Sequence, residues 1–185
     1  MEAEHRTGAR HKGVYLLPNL FTTAALFAGF YAIVAAMNGH FENAALGIII
    51  AGVLDGMDGG VARMTNTQSK FGAEYDSLSD CVAFGVAPGL VAYAWALSGL
   101  GKFGWVAAFI YVACAALRLA RFNVQAETTD KRFFIGLPSP TGAGLVATLV
   151  WLGASRGIEG ADISWLVAVV VAGAGLLMVS SVKYH

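Results

Sequence analysis

Residues 44–63 read AALGIIIAGVLDGMDGGVAR. From Ala44 to Leu54 every residue is apolar or glycine. Asp55 and Asp58 follow, with no other polar side chain before Arg63. A helix needs roughly 20 apolar residues to cross a hydrocarbon core. A carboxylate inside such a span costs about 2.5–3.5 kcal/mol on insertion scales. The stretch therefore reads as a membrane helix with charged chemistry built into one end.

Similar stretches recur near 15–37, 78–98, 103–121, 137–155 and 163–182. Each is about 19–23 residues, the length of a helical span and about twice that of a barrel strand. The fold predicted is all-α, an integral membrane bundle of six transmembrane helices, with residues 1–185 forming one membrane-embedded domain. Composition agrees: the set AVILMFWYC makes up 57% of the 185 residues, charged residues only 13%, and mean hydropathy is +0.63. That excludes a disordered chain and a secreted disulfide scaffold, and disfavours a soluble domain. The formal net charge of zero gives no case for a nucleic-acid partner. Cys81 and Cys114 lie in apolar stretches and read as buried thiols. None of His5, His11, His40 and His185 is placed for catalysis, and no Cys/His cluster has zinc spacing.

Orientation follows from the basic residues. The polar start (Arg6, Arg10, Lys12) is not a signal peptide, because the apolar stretch after it is too long and no clear cleavage site follows. With the N-terminus cytoplasmic, ten of the 12 Lys and Arg fall inside: Arg6, Arg10, Lys12, Arg63, Lys70, Arg118, Arg121, Lys131, Arg132 and Lys183. Lys102 and Arg156 fall outside. This positive-inside bias predicts a multi-pass cell-membrane protein with both termini cytoplasmic. Loops 38–43, 98–102 and 156–162 would face out, and the polar segments 64–77 and 122–136 would face in.

Asp55 and Asp58 are i, i+3, and Asp76 and Asp80 at the start of the third span are i, i+4. Each pair shares a helix face. If the faces meet, four carboxylates converge at the cytoplasmic end, and four like charges must take up protons or cations. Two divalent cations would balance four carboxylates, and oxygen-only ligands favour Mg, Mn or Ca. Such a centre at a membrane surface suits a substrate with phosphates and an apolar tail. Gly59 and Gly60 would let a phosphate approach the backbone, Arg63 would clamp a phosphate oxygen, and Thr65 and Ser69 would donate hydrogen bonds. The competing readings are interfacial ion pairs with Arg63, Arg118 and Arg121, or a proton or ion pathway. A transporter would place its sites nearer the midplane.

Residues 55–80 read DGMDGGVARMTNTQSKFGAEYDSLSD, the pattern D-x2-D-G-x2-A-R-x8-G-x3-D-x3-D. This resembles the signature of the CDP-alcohol phosphotransferase family at every fixed position. The resemblance implies transfer of a phosphatidyl group from a CDP-linked lipid to an alcohol, with CMP leaving. It implies that Asp55, Asp58, Asp76 and Asp80 hold two divalent cations, Mg2+ or Mn2+, and that Asp80 is also the general base. Gly59, Arg63, Ser69 and Gly72 would contact the CDP lipid. Asn19 and Thr22, in a segment similar to the family's N-x2-T element, would join them unless they only cap a helix.

Two further segments, LRLARFN at 117–123 and GLPSPTG at 136–142, resemble the branch of that family that uses CDP-diacylglycerol and L-serine. On that resemblance Arg118 and Arg121 would hold the serine carboxylate, with Asn123 and Ser139 on its ammonium or hydroxyl. The arginines suit lipid-anchoring too, or a glycerol-phosphate or inositol-phosphate acceptor. A membrane prenyltransferase would need more spans. A homodimer is expected from the resemblance.

Overall fold

The computed structural model describes the backbone of residues 4–65, 69–128 and 136–180, and the side chains of 19–57, 69–124 and 136–180. Helices follow in the order α1 (Glu4–Met37), α2 (Phe41–Thr65), α3 (Lys70–Asp80), α4 (Ala87–Ala92), α5 (Lys102–Thr128), α6 (Ser139–Ser155) and α7 (Ser164–Val179). Between α3 and α4 lies a π-helical turn, Cys81–Val86. After α4 come a second, Tyr93–Leu97, and a short 3-10 turn, Ser98–Leu100. Residues 70–100 thus make one long rod. No strand occurs among the described residues. In a bilayer this is the expected outcome, since a helix satisfies its backbone internally.

Among the described residues, four segments are long and apolar enough to cross a membrane: Asn19–Met37, Lys70–Leu100, Lys102–Val124 and Gly160–Val179. Of the two other rods, α6 has 17 residues, and the described side chains of α2 stop at Met57.

The packing is inside-out relative to a water-soluble bundle. Ala32, Ala44, Ala51, Ala83, Ala87 and Ala143 are buried, whereas Phe27, Phe109, Trp165 and Val169 are exposed. Small residues inside let backbones approach, and large apolar residues outside meet lipid. At Gly29 α1 approaches the third rod closely: a Cβ there would stand 2.8 Å from Ala83 Cα. The broadest interfaces join α1 to α2, α5 to α7 and α2 to α6.

The polar links are shorter than the sequence suggests. Expected links at 64–77 and 122–136 are partly helix: α2 runs to Thr65, α3 begins at Lys70, and α5 continues to Thr128. The start of α3 has a local cause. Ser69 is extended (φ −113°, ψ 152°) and its Oγ accepts from Gly72 N at 2.9 Å, which caps the first turn. Asp76 therefore lies inside a helix rather than at its mouth.

The chain reverses at two turns on one end of the bundle. Residues of both, Gly39–Asn43 and Gly157–Ala161, line with Trp95 a cavity of about 650 Å³. The carboxylates occupy the other end.

Candidate active site

Asp55 comes from the last turns of α2, and Asp76 and Asp80 come from successive turns of α3. Oxygens of the three carboxylates lie within 4.8 Å of one another, and all three residues are half-buried. Two oxygens on opposite sides of one cation, each at about 2.1–2.4 Å, would be separated by about that span. Three clustered carboxylates of hard oxygen donors fit Mg or Mn rather than a softer metal. The side chains of Asp58, Gly59, Gly60, Arg63 and Thr65 lie outside the described residues, so the expected fourth ligand and phosphate clamp are not placed.

Hydrogen bonds from its neighbours fix α3. Ser79 is buried and its Oγ donates to Thr22 O of α1 at 3.0 Å. The Tyr75 and Thr23 hydroxyls pair at 2.9 Å, while Thr23 Oγ1 also donates to Asn19 O at 2.7 Å. On the other flank, Asn123 Nδ2 of α5 donates to Ser77 Oγ at 2.9 Å. These contacts set the rotation of α3 and therefore the direction of Asp76 and Asp80.

Of the residues expected on the CDP side, Asn19, Ser69 and Gly72 fall into one corner. A Cβ on Gly72 would stand 3.1 Å from Ser69 Oγ and 3.4 Å from Asn19 Oδ1, so these three residues adjoin. Thr22 is buried against α3. The helix-cap alternative for Asn19 and Thr22 fails, because α1 runs through both from Glu4.

The expected acceptor residues divide. Arg118 Nη1 donates to Ser139 Oγ at 2.9 Å, joining α5 to the first turn of α6. Its guanidinium is also near enough to Asp80 for their charges to interact. Arg118 Nε is buried and has no hydrogen-bond partner among the described residues. Ser139 is held in place by the preceding Gly136 (φ 87°), where a Cβ would stand 2.5 Å from Met178 O, and by Leu137 N donating to Leu177 O at 3.1 Å. Arg121 is exposed, and Asn123 is engaged with Ser77. Thr23, Tyr75, Ser77 and Ser79 escaped the sequence reading. Three of them sit at variable positions of the signature, where only the helical register shows what they face.

A family profile described as CDP-alcohol phosphatidyltransferase matches residues 15–179. Similar proteins include a CDP-diacylglycerol–serine O-phosphatidyltransferase of Helicobacter pylori, 42% identical over 92% of this chain and 72% of that protein. Proteins of the same name from Mycobacterium tuberculosis (40% identical, 95% of this chain, 63% of that protein) and Bacillus subtilis (34%, 91% and 89%) are also similar. The match covers the rods that carry the carboxylates, Arg118 and Ser139, and on it the chain belongs to the CDP-alcohol phosphatidyltransferase family.

Proposed function

We propose that this chain transfers the phosphatidyl group of CDP-diacylglycerol to L-serine, as a CDP-diacylglycerol–serine O-phosphatidyltransferase. The observation that carries the reading is the convergence of Asp55, Asp76 and Asp80, with Arg118, hydrogen-bonded to Ser139, near enough to Asp80 for their charges to interact. The names of the similar proteins support serine as acceptor.

Asp55, Asp58, Asp76 and Asp80 would hold two divalent cations, Mg2+ or Mn2+. When bound, these would neutralise charge on the donor phosphates and on the departing CMP. Gly59, Arg63, Ser69, Gly72, Asn19 and Thr22 would seat the CDP part. The Arg118 guanidinium, oriented by Ser139, would hold the serine carboxylate, with Arg121 and Asn123 at the margin. Serine Oγ attacks the phosphorus next to diacylglycerol, its proton passes to Asp80, and the bond from that phosphorus to CMP breaks. The products are phosphatidylserine and CMP.

The reading extends to architecture. All six rods span the membrane as one domain, the carboxylate end and both termini face the cytoplasm, and the protein is a homodimer. The positive-inside bias of the sequence supports the orientation, and the family resemblance supports the dimer.

The test is CMP release by purified protein in detergent with CDP-diacylglycerol, Mg2+ or Mn2+, and a panel of alcohols. Serine-dependent release is expected. Release with glycerol phosphate or inositol phosphate instead would keep the carboxylate chemistry and discard the serine pocket. No release with any alcohol would favour an ion pathway.

A further inference from the structure

The third rod changes pitch immediately after Asp80. From Cys81 to Val86 it widens into a π-helical turn, closed where Ala87 N donates to Val82 O, five residues back. Pro88 follows. It has no N–H, so Phe84 O, four residues earlier, loses its ordinary helical donor. Inside a membrane a carbonyl without a donor must find one elsewhere. Tyr111 of α5 supplies it: its Oη donates to Phe84 O at 3.0 Å, and its side chain is fully buried.

The same stripe of α5 carries Ala115 and Arg118, at i+4 and i+7 from Tyr111. A Cβ on Gly85 would stand 3.3 Å from Ala115 Cβ, and one on Gly89 would stand 2.8 Å from Val112 Cγ2. The two rods therefore touch with almost no slack around the wide turn. One turn of helix separates Phe84 from Asp80, and two separate Tyr111 from Arg118. The hydroxyl contact and the Asp80–Arg118 approach are thus two points of one seam, closed at its outer end by Asn123 on Ser77.

We propose that Tyr111 is a positioning residue for the transfer reaction: by satisfying Phe84 O it fixes the wide turn behind Asp80 and sets Asp80 against Arg118. The inference rests on the reading of Asp80 as the base. Tyr111 touches no substrate; it acts through the backbone of the rod that carries Asp80. Pro88 creates the need and Tyr111 meets it, so the two residues must be coupled.

The test uses the full chain in detergent, as wild type, Tyr111→Phe, Pro88→Ala and the double variant, with Val171→Ala in α7 as a control for general loss of stability. Amide exchange over residues 81–87 reads the contact itself. The kcat and KM of CMP release, with whichever alcohol the wild type accepts, read its consequence. Tyr111→Phe is expected to speed exchange at least tenfold and lower kcat at least tenfold, with both KM values changed less than twofold. Val171→Ala should leave kcat within twofold. Pro88→Ala adds a backbone N–H beside the wide turn, which in α register serves Phe84 O, so adding Tyr111→Phe to it should change kcat less than threefold. If Tyr111→Phe does not fold, that last comparison decides alone: a double variant tenfold below Pro88→Ala overturns the proposal. Faster exchange with unchanged kcat overturns it too, while leaving the assignment of Asp80 intact. An active wild type whose Asp80→Asn variant keeps its turnover sinks the assignment of Asp80, and the positioning role with it.

Discussion

Arg118→Lys isolates the proposed acceptor pocket. The guanidinium directs one Nη to Ser139 Oγ at 2.9 Å, and its Nε is buried without a partner among the described residues. The planar fork therefore has donors in reserve after its orienting bond is made. Lysine keeps the charge but loses the fork, and its ammonium cannot serve Ser139 and a carboxylate in the same geometry. A hydrogen bond to a charged group contributes about 1.5–3 kcal/mol. At about 1.4 kcal/mol per factor of ten, the serine KM should rise roughly 10- to 150-fold. The KM for CDP-diacylglycerol should change less than about twofold, because the proposed donor corner is at Asn19, Ser69 and Gly72. Ser139→Ala removes only the orienting bond and leaves the guanidinium to meet the carboxylate, so it should raise the serine KM less than Arg118→Lys does. The double variant should fall short of the summed effects, since both changes break one contact. The assay is initial-rate CMP release with each substrate varied in turn. Equal rises in both KM values would refute a carboxylate-binding role, and a normal serine KM would move the acceptor away from α5 and α6.

Asp80→Asn should lower kcat by roughly 100-fold or more, while binding of CDP-diacylglycerol, measured by calorimetry, persists. Chelation by EDTA should abolish CMP release, and added Mn2+ or Mg2+ should restore it; full activity in excess chelator would rule out a cation at the carboxylates. Gly29→Val should lower thermal stability by several degrees in a detergent melt, because its side chain collides with the Ala83 backbone. Ser69→Ala should cost about 1 kcal/mol by uncapping α3, seen as faster amide exchange over residues 70–73.

What the sequence made legible was set by period and charge. Asp76 and Asp80 share a face on paper because an i, i+4 spacing leaves little freedom once a helix is granted; that Asp55 of α2 meets them follows only from the packing of the two rods. Arg118 and Ser139, 21 residues apart, are grouped in the sequence by resemblance alone; in the structure a 2.9 Å bond joins them. The extent of α3 was misread for a specific reason. KFGAEYDS looks like a loop by polarity, yet outside the hydrocarbon core polarity says nothing against a helix, and one serine cap suffices to start it. Tyr111 was invisible for the opposite reason. In the sequence it is one aromatic among apolar residues, and its task is set by Pro88, 23 residues away, through a carbonyl that has no letter in the sequence.

The arrangement of α3 explains how a charged site stays rigid at the edge of a bundle held by small residues. Successive residues on a helix turn by about 100°. Tyr75 and Ser79 therefore project in nearly one direction and meet Thr23 and Thr22 O of α1. Asp76 and Asp80 project about 100° further round, into the cluster with Asp55. Ser77 projects about 100° beyond Asp76 and meets Asn123 of α5. The carboxylates thus occupy the angular gap between two hydrogen-bonded flanks. Van der Waals packing of alanines and glycines fixes the distance between rods but resists rotation weakly, since their side chains project little. Directional hydrogen bonds on both sides of the carboxylates supply that resistance where a misaimed carboxylate would be most costly. The polar residues between the signature's fixed positions are, on this geometry, as much a part of the site as the carboxylates they aim.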